Sequence, residues 1–323
     1  MIYIFSGVMK NFNNLIDLMD FFKDEEFCHN FLKNLFWGEN RENKKCPHCG
    51  SCNVNEFKDY KKNRCYDCKF EFSIRKNTIF DDSKISLKKW FMVIYLANSN
   101  KKGVSSLAVA RQVGVTQKTS WFMLQRIKNA SVGLMFKNQF DGTTEIDEAY
   151  IGGKYENMHT SKKQTEPEKT AVIGMVNRDT KEVKAMRVPT AEKEFLLPKI
   201  NMNVKKGSTI VTDNYHAYKD LKNHFSHKMV KHSAKEYVRN EVDAQGRIAF
   251  KVHTNSIEGF WSQVKRTING THHWISKKHI NKYLAEMSFR YNTKMLSDNT
   301  RFVNFLKTSF NKLTYKQLVL NEV

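Results

Sequence analysis

Two Cys-x2-Cys pairs, Cys46/Cys49 and Cys65/Cys68, stand 15 residues apart and constrain this chain more than any other feature. Each pair can turn two thiolates toward one ion, and two pairs complete a closed tetrahedral site suited to one structural Zn2+. Phe57, Tyr60, Phe70 and Phe72, between and after the pairs, suit the small strands of a zinc ribbon, expected over 44–78. Cys52 and His48 lie on the same knuckle, and either could substitute for a ligand. All six cysteines fall at or before position 68. That clustering argues against a disulfide framework and for a local metal site in a reducing compartment.

Charge bounds the partners. Fifty-four Lys and Arg against 33 Asp and Glu give a net charge of +21. An excess of that size favours polyanions through counterion release and long-range attraction. A codon bias toward lysine and asparagine would raise Lys and Asn together, but would not explain so few acids. At 323 residues the chain is long enough for two or three domains. No stretch approaches the roughly 18 apolar residues of a membrane span. The start, "MIYIFSGVMKNFNNL", carries no basic region ahead of its apolar run and no cleavage site, so a cytoplasmic, nucleoid-associated location is expected.

Periodicity divides the chain. Residues 1–43 read as an N-terminal helical segment of one or two amphipathic helices, with Leu15, Met19 and Phe22 at helical spacing. Helical periodicity returns over 84–131. From about 142 short β-like runs alternate with helices, and an α/β domain is expected over 140–310. The polar run "KYENMHTSKKQTEPEKT" inside it reads as a loop.

The stretch "GVSSLAVARQVGVTQKTSWFMLQRIKNA" predicts a helix, a turn and a second helix. Ser105 or Ser106 can cap the first, Gly114 supplies a permissive turn, and Thr116 can cap the second. Trp121, Leu124 and Ile127 would pack between them. Gln117, Lys118 and Thr119 then open the second helix, where a DNA-reading helix-turn-helix reaches base edges. An ordinary helical hairpin with a polar rim has the same pattern.

The α/β half carries the acids. "TTEIDEAYIGG" places Asp147 in a strand, and "STIVTDNYHAY" ends a second apolar run in Asp213. Glu145, Glu148 and Asp213 could each be exposed rim residues. In "HTNSIEGFWSQVKR", Lys265 follows Glu258 by two helical turns and lies within about 20° of it around the axis.

These blocks resemble a known family. With "CPHCGS", "TSWFMLQRI", "GTHHWISKKHI" and "YLAEMSFRYN" in order from about 28 to 310, the chain is similar to DDE-class insertion-sequence transposases. The group is the ISXO-type one with a zinc ribbon, related to the eukaryotic Merlin elements. The resemblance implies an RNase H-like catalytic domain in which Asp147, Asp213 and Glu258 are the catalytic acids and Lys265 follows as a cation. Some members are described with asparagine as third residue, and Asn255 lies one turn before Glu258; a carboxylate is the better ligand for a hard cation. Two divalent ions, Mg2+ or Mn2+, would be held by the three acids, and Lys265 would touch DNA phosphate. His272, His273, Trp274 and Lys278 either line the DNA path or form a plain helix–helix turn. Ile280, Tyr283, Leu284, Met287 and Tyr291 are expected in the core. The expected partner is double-stranded DNA, both element ends and target, bound by a homodimer or higher oligomer. The expected activity is binding of terminal inverted repeats with metal-dependent cleavage and strand transfer. A non-catalytic DNA-binding regulator would leave the acids unexplained, and a nuclease of the same fold would cleave without joining.

Overall fold

The computed structural model describes residues 12–38, 40–133, 138–152 and 169–320. They form two compact units. One gathers the described residues of Met1–Ala130 and Met295–Asn321, and the other Ser131–Lys294.

The first unit opens with helices α1 (Leu15–Phe21) and α2 (Glu25–Trp37), separated because Asn14 and Asp24 each start a new helix. Their side chains accept the Asp17 and Phe27 N–H groups at 2.9 and 2.7 Å, the usual satisfaction of orphan helix donors. A small antiparallel sheet follows in the order β1 (Val54–Glu56), β2 (Asn63–Cys65), β3 (Glu71–Phe72). Then come α3 (Leu87–Ser99), α4 (Ser106–Val113) and α5 (Gln117–Val132). Edge-on aromatic contacts join Phe22 to Phe31 and Phe91, and Phe91 to Phe302. The Glu25 carboxylate accepts the Leu87 N–H at 2.9 Å and Arg75 at 2.5 Å, tying the start of α3 to α2.

The second unit is a mixed α/β layer structure. Its strands are β4 (Thr143–Ile151), β5 (Thr170–Asn177), β6 (Val183–Arg187), β7 (Thr209–Asp213) and β8 (Ser226–Val230), with helix α6 (Lys193–Asn203) between β6 and β7. A separate hairpin, β9 (Arg239–Val242) and β10 (Ile248–Val252), precedes helices α7 (Asn255–Thr267) and α8 (Ile280–Asn292). The five-stranded sheet runs β6-β5-β4-β7-β8, antiparallel across its first three strands and parallel from β4 through β8. Both faces are covered, as the near-continuous apolar burial of β5 requires. Ile146, Ile173 and Ile210 pack with Leu196, Ile200 and Tyr218 on one face. Ala149, Val172 and Val176 pack with Ile257, Phe260 and Trp261 of α7 and Leu284 of α8 on the other. Ile280, Leu284 and Met287 are buried as their spacing predicts, with Tyr283 and Tyr291 half-buried against them.

Gly174 sets how closely α7 lies on the sheet. A side chain there would meet Trp261 Cζ2 at 2.5 Å and Ile257 Cδ1 at 2.7 Å. Beyond α8 the chain returns to the first unit as α9 (Asp298–Leu306) and α10 (Tyr315–Leu320), where Phe302 joins the aromatic core.

Candidate active site and metal-binding ribbon

In the ribbon, Cys46 and Cys68 Sγ lie 3.7 Å apart, and Cys49 and Cys65 Sγ 3.6 Å. All four sulfurs fall within 4.8 Å of one another. A tetrahedral zinc with bonds of about 2.3 Å has sulfur–sulfur edges of about 3.8 Å, so the donor set fits that ion. Without an ion the thiols differ: the Cys68 backbone N–H draws Cys65 down to about 7, while Cys49 stands raised to about 12. Cys52 is turned away, its thiol donating to the Glu42 carbonyl at 3.3 Å, and His48 stacks on Phe70. Neither belongs to the cluster.

Between α4 and α5 the local chemistry follows the sequence. Ser105 accepts the Ala108 N–H at 3.2 Å. Gly114 takes a left-handed conformation at φ 65°, and its N–H returns to the Ala110 carbonyl. Thr116 Oγ1 accepts the Thr119 N–H at 3.2 Å. Leu124 and Ile127 are buried, while Trp121 is half-buried. Gln117 and Lys118 are exposed. Yet Gln117 Nε2 donates to Ser106 Oγ at 2.9 Å, and the Lys118 ammonium lies 5.7 Å from the Tyr315 ring centre.

The acids of the second unit meet where the end of β7 lies beside the middle of its parallel neighbour β4. The β4–β7 register pairs Glu145 with Val211, so two residues further along each strand bring Asp147 beside Asp213, the last residue of β7. Asp147, Asp213 and Glu148 each offer a carboxylate oxygen, all within 4.8 Å of one another. Burial pushes the Asp147 carboxyl up to about 7, helped by repulsion from Glu148 and Asp213. Carboxylates crowded in this way fit a hard divalent cation, whose charge would offset the repulsion. Glu258, on α7, stands outside this close set. Its carboxylate accepts the Thr254 hydroxyl at 2.7 Å and lies 3.4 Å from His232 Nε2, and its charge contributes to the rise at Asp147. Asn255 is exposed at the first position of the same helix.

Two acids depart from the sequence reading. Glu148 is no rim residue: it is half-buried and accepts a 2.5 Å hydrogen bond from the fully buried Tyr218 hydroxyl. Glu145 is entirely buried. It accepts the Ser256 and Ile257 N–H groups at 2.8 and 3.1 Å, the Ser256 hydroxyl at 3.0 Å and Arg178 Nε at 2.7 Å. Helix α7 has no side-chain cap of its own, so Glu145 supplies one from the sheet. The i,i+2 spacing of Glu145 and Asp147 was the available signal, since alternate strand residues share a face. Nothing in the sequence marked Arg178 or His232, and Tyr218 stood out only as the last residue of the block "STIVTDNYHAY".

Comparison with known proteins adds the identity. Residues 23–71 match the transposase zinc-ribbon domain, and residues 139–292 match the ISXO2-like transposase domain. A transposase-like protein of Haemophilus influenzae is 32% identical over 109 residues, covering 32% of this chain and 76% of that protein. The chain belongs to the ISXO2-like transposases. A protein in the transposable element ISH50 of Halobacterium salinarum is similar over most of its length, 24% identical across 83% of this chain and 91% of that one. In this transposase Lys265, His273 and Lys278 are exposed, Trp274 is 63% exposed, and the His272 ring packs edge-on against Tyr283. Among the described residues no helix is long and apolar enough to cross a membrane.

Proposed function

We propose that the protein binds the terminal inverted repeats of its own element and catalyses their cleavage and transfer to target DNA, as a DDE-class enzyme with an RNase H-like domain. The observation that carries this reading is the meeting of Asp147, midway along β4, with Asp213 at the end of the adjacent β7, and the contribution of the Glu258 charge to the rise at Asp147. A five-stranded sheet in which β4, β7 and β8 run parallel and β5 antiparallel supports the RNase H-like assignment.

Asp147, Asp213 and Glu258 would hold two divalent cations, and Glu148, fixed by Tyr218, adds a fourth carboxylate at the same place. Such ions supply Lewis-acid polarisation of the phosphodiester and a more acidic attacking oxygen. The protein's own part is placement. Asp147 and Asp213 are fixed by strand register, and Glu258 is oriented by Thr254 and His232. Lys265, two turns along α7, would hold a phosphate oxygen, and His273 and Lys278 would extend the cationic path. In the first unit α4 and α5 would act as a helix-turn-helix, with Gln117, Lys118 and Thr119 toward the end sequence. Joining two ends to one target calls for at least a homodimer on DNA.

The test is cleavage and strand transfer on a labelled terminal repeat with Mg2+ or Mn2+. Asp147→Asn, Asp213→Asn and Glu258→Gln should each abolish both steps while leaving end binding intact, and Asn255→Ala should be milder. Normal cutting by Glu258→Gln together with loss in Asn255→Ala would move the third position to Asn255. Full activity in all four would leave a DNA-binding regulator as the better reading.

A further inference from the structure

We infer that Glu145 is a positioning residue that sets the metal affinity of the acid centre by fixing helix α7 against strand β4; the inference rests on the catalytic reading above. Glu145 lies two residues before Asp147 on the same strand, with none of its surface exposed. Its carboxylate is shared between the entry into α7 and Arg178, the residue after β5. Ser256 and Ile257 donate backbone N–H groups, and Ser256 adds its hydroxyl. Arg178 bridges further. Its Nε donates to Glu145, while its two terminal nitrogens donate to the Lys251 and His253 carbonyls at 2.7 and 2.6 Å. His253 Nδ1 stands 3.3 Å from the same carboxylate oxygen.

One buried carboxylate therefore fixes the last residues of β10, the start of α7 and the strand bearing Asp147. Ile257, which donates to Glu145, immediately precedes Glu258. Apolar packing over Gly174 sets how closely α7 lies on the sheet, and these charge-assisted bonds of defined length add a fixed register between Glu258 and Asp147. Removing an outer partner that orients metal ligands lowers metal affinity without removing a ligand.

The experiment titrates Mn2+ into the full-length, DNA-free protein by calorimetry and, separately, measures the Mn2+ dependence of end cleavage. Glu145→Gln keeps the shape but presents an N–H2 group to donors, and it should raise the half-saturating Mn2+ concentration roughly 10- to 100-fold in both measurements. End affinity without metal should not change, and excess Mn2+ should recover much of the cleavage rate. Ser256→Ala removes only the hydroxyl contact, leaves both backbone bonds, and should shift half-saturation in the same direction by less. It decides the matter if Glu145→Gln fails to fold. Unchanged half-saturation in the folded variants overturns the inference, even where thermal stability falls. Asp147→Asn run alongside separates the two readings: if it binds Mn2+ and cuts DNA like the natural protein, the catalytic assignment fails, whatever Glu145 does.

Discussion

Gly174 stands directly opposite Asp147 in the antiparallel register of β4 and β5, and the Trp261 ring fills the space a side chain at Gly174 would take. The strand that carries the central acid is thus packed under α7 only because its neighbour has no side chain at that point. Trp261 is buried, and the atom nearest Gly174 belongs to its rigid ring.

Gly174→Ala should therefore lift α7 from the sheet beside Asp147. Overpacking of this kind costs about 1–3 kcal/mol. The variant should melt several degrees lower by circular dichroism and cut end DNA much more slowly at equal folded fraction. A melting temperature and rate matching the natural protein would show that the helix adjusts freely.

The raised Asp147 pKa has a defined sign in stability. Its folded value of about 7 exceeds the ordinary 3.8, so between those values the folded chain holds a proton that the unfolded chain releases. Metal-free stability from this group is complete below 3.8 and is lost as pH rises through about 7. Asp147→Asn should consequently stabilise the metal-free protein at pH 8, by an amount on the order of a few kcal/mol at ~1.4 kcal/mol per unit. Near pH 4 the two proteins should melt alike. Added Mn2+ should raise the melting temperature of the natural protein at pH 8 and leave that of Asp147→Asn nearly unchanged.

The ribbon should depend on its ion. Purified protein should contain one zinc per chain, and Cys65→Ser/Cys68→Ser should contain none. Because such modules are largely held by metal binding, the variant or chelated protein should become sensitive to protease over residues 44–78. Retention of zinc by the double variant would point to different ligands.

Replacing Gln117, Lys118 and Thr119 together by alanine should weaken binding to the element's ends more than binding to unrelated DNA. Base contacts specify, whereas phosphate contacts only position. Equal losses on both DNAs would assign these residues to the backbone, and unchanged affinity would leave the helix pair structural. The Gln117–Ser106 bond also predicts a cost in stability, since its loss leaves the α4–α5 contact with one fewer hydrogen bond, worth about 1 kcal/mol.

What the sequence determined by itself is local. Two Cys-x2-Cys turns converge because each pair spans a single knuckle, and the helix starts at Ser105 and Thr116 follow from side chains reaching N–H groups three residues away. Asp147 and Asp213 could be placed on strands because apolar, β-branched neighbours surround them, and Ile280, Leu284 and Met287 could be placed in the core by their period. Tertiary structure decided the rest. Glu145 and Glu148 are one residue to either side of Ile146 and Asp147, and composition alone gives them the same polar rim. Glu145 instead meets N–H groups 111 and 112 residues away, and Glu148 meets a hydroxyl 70 residues away. A carboxylate's burial depends on whether such distant donors arrive to replace water. No local pattern encodes that arrival, nor the close approach of Trp261 that makes Gly174 necessary, nor the return of Phe302 to the first unit.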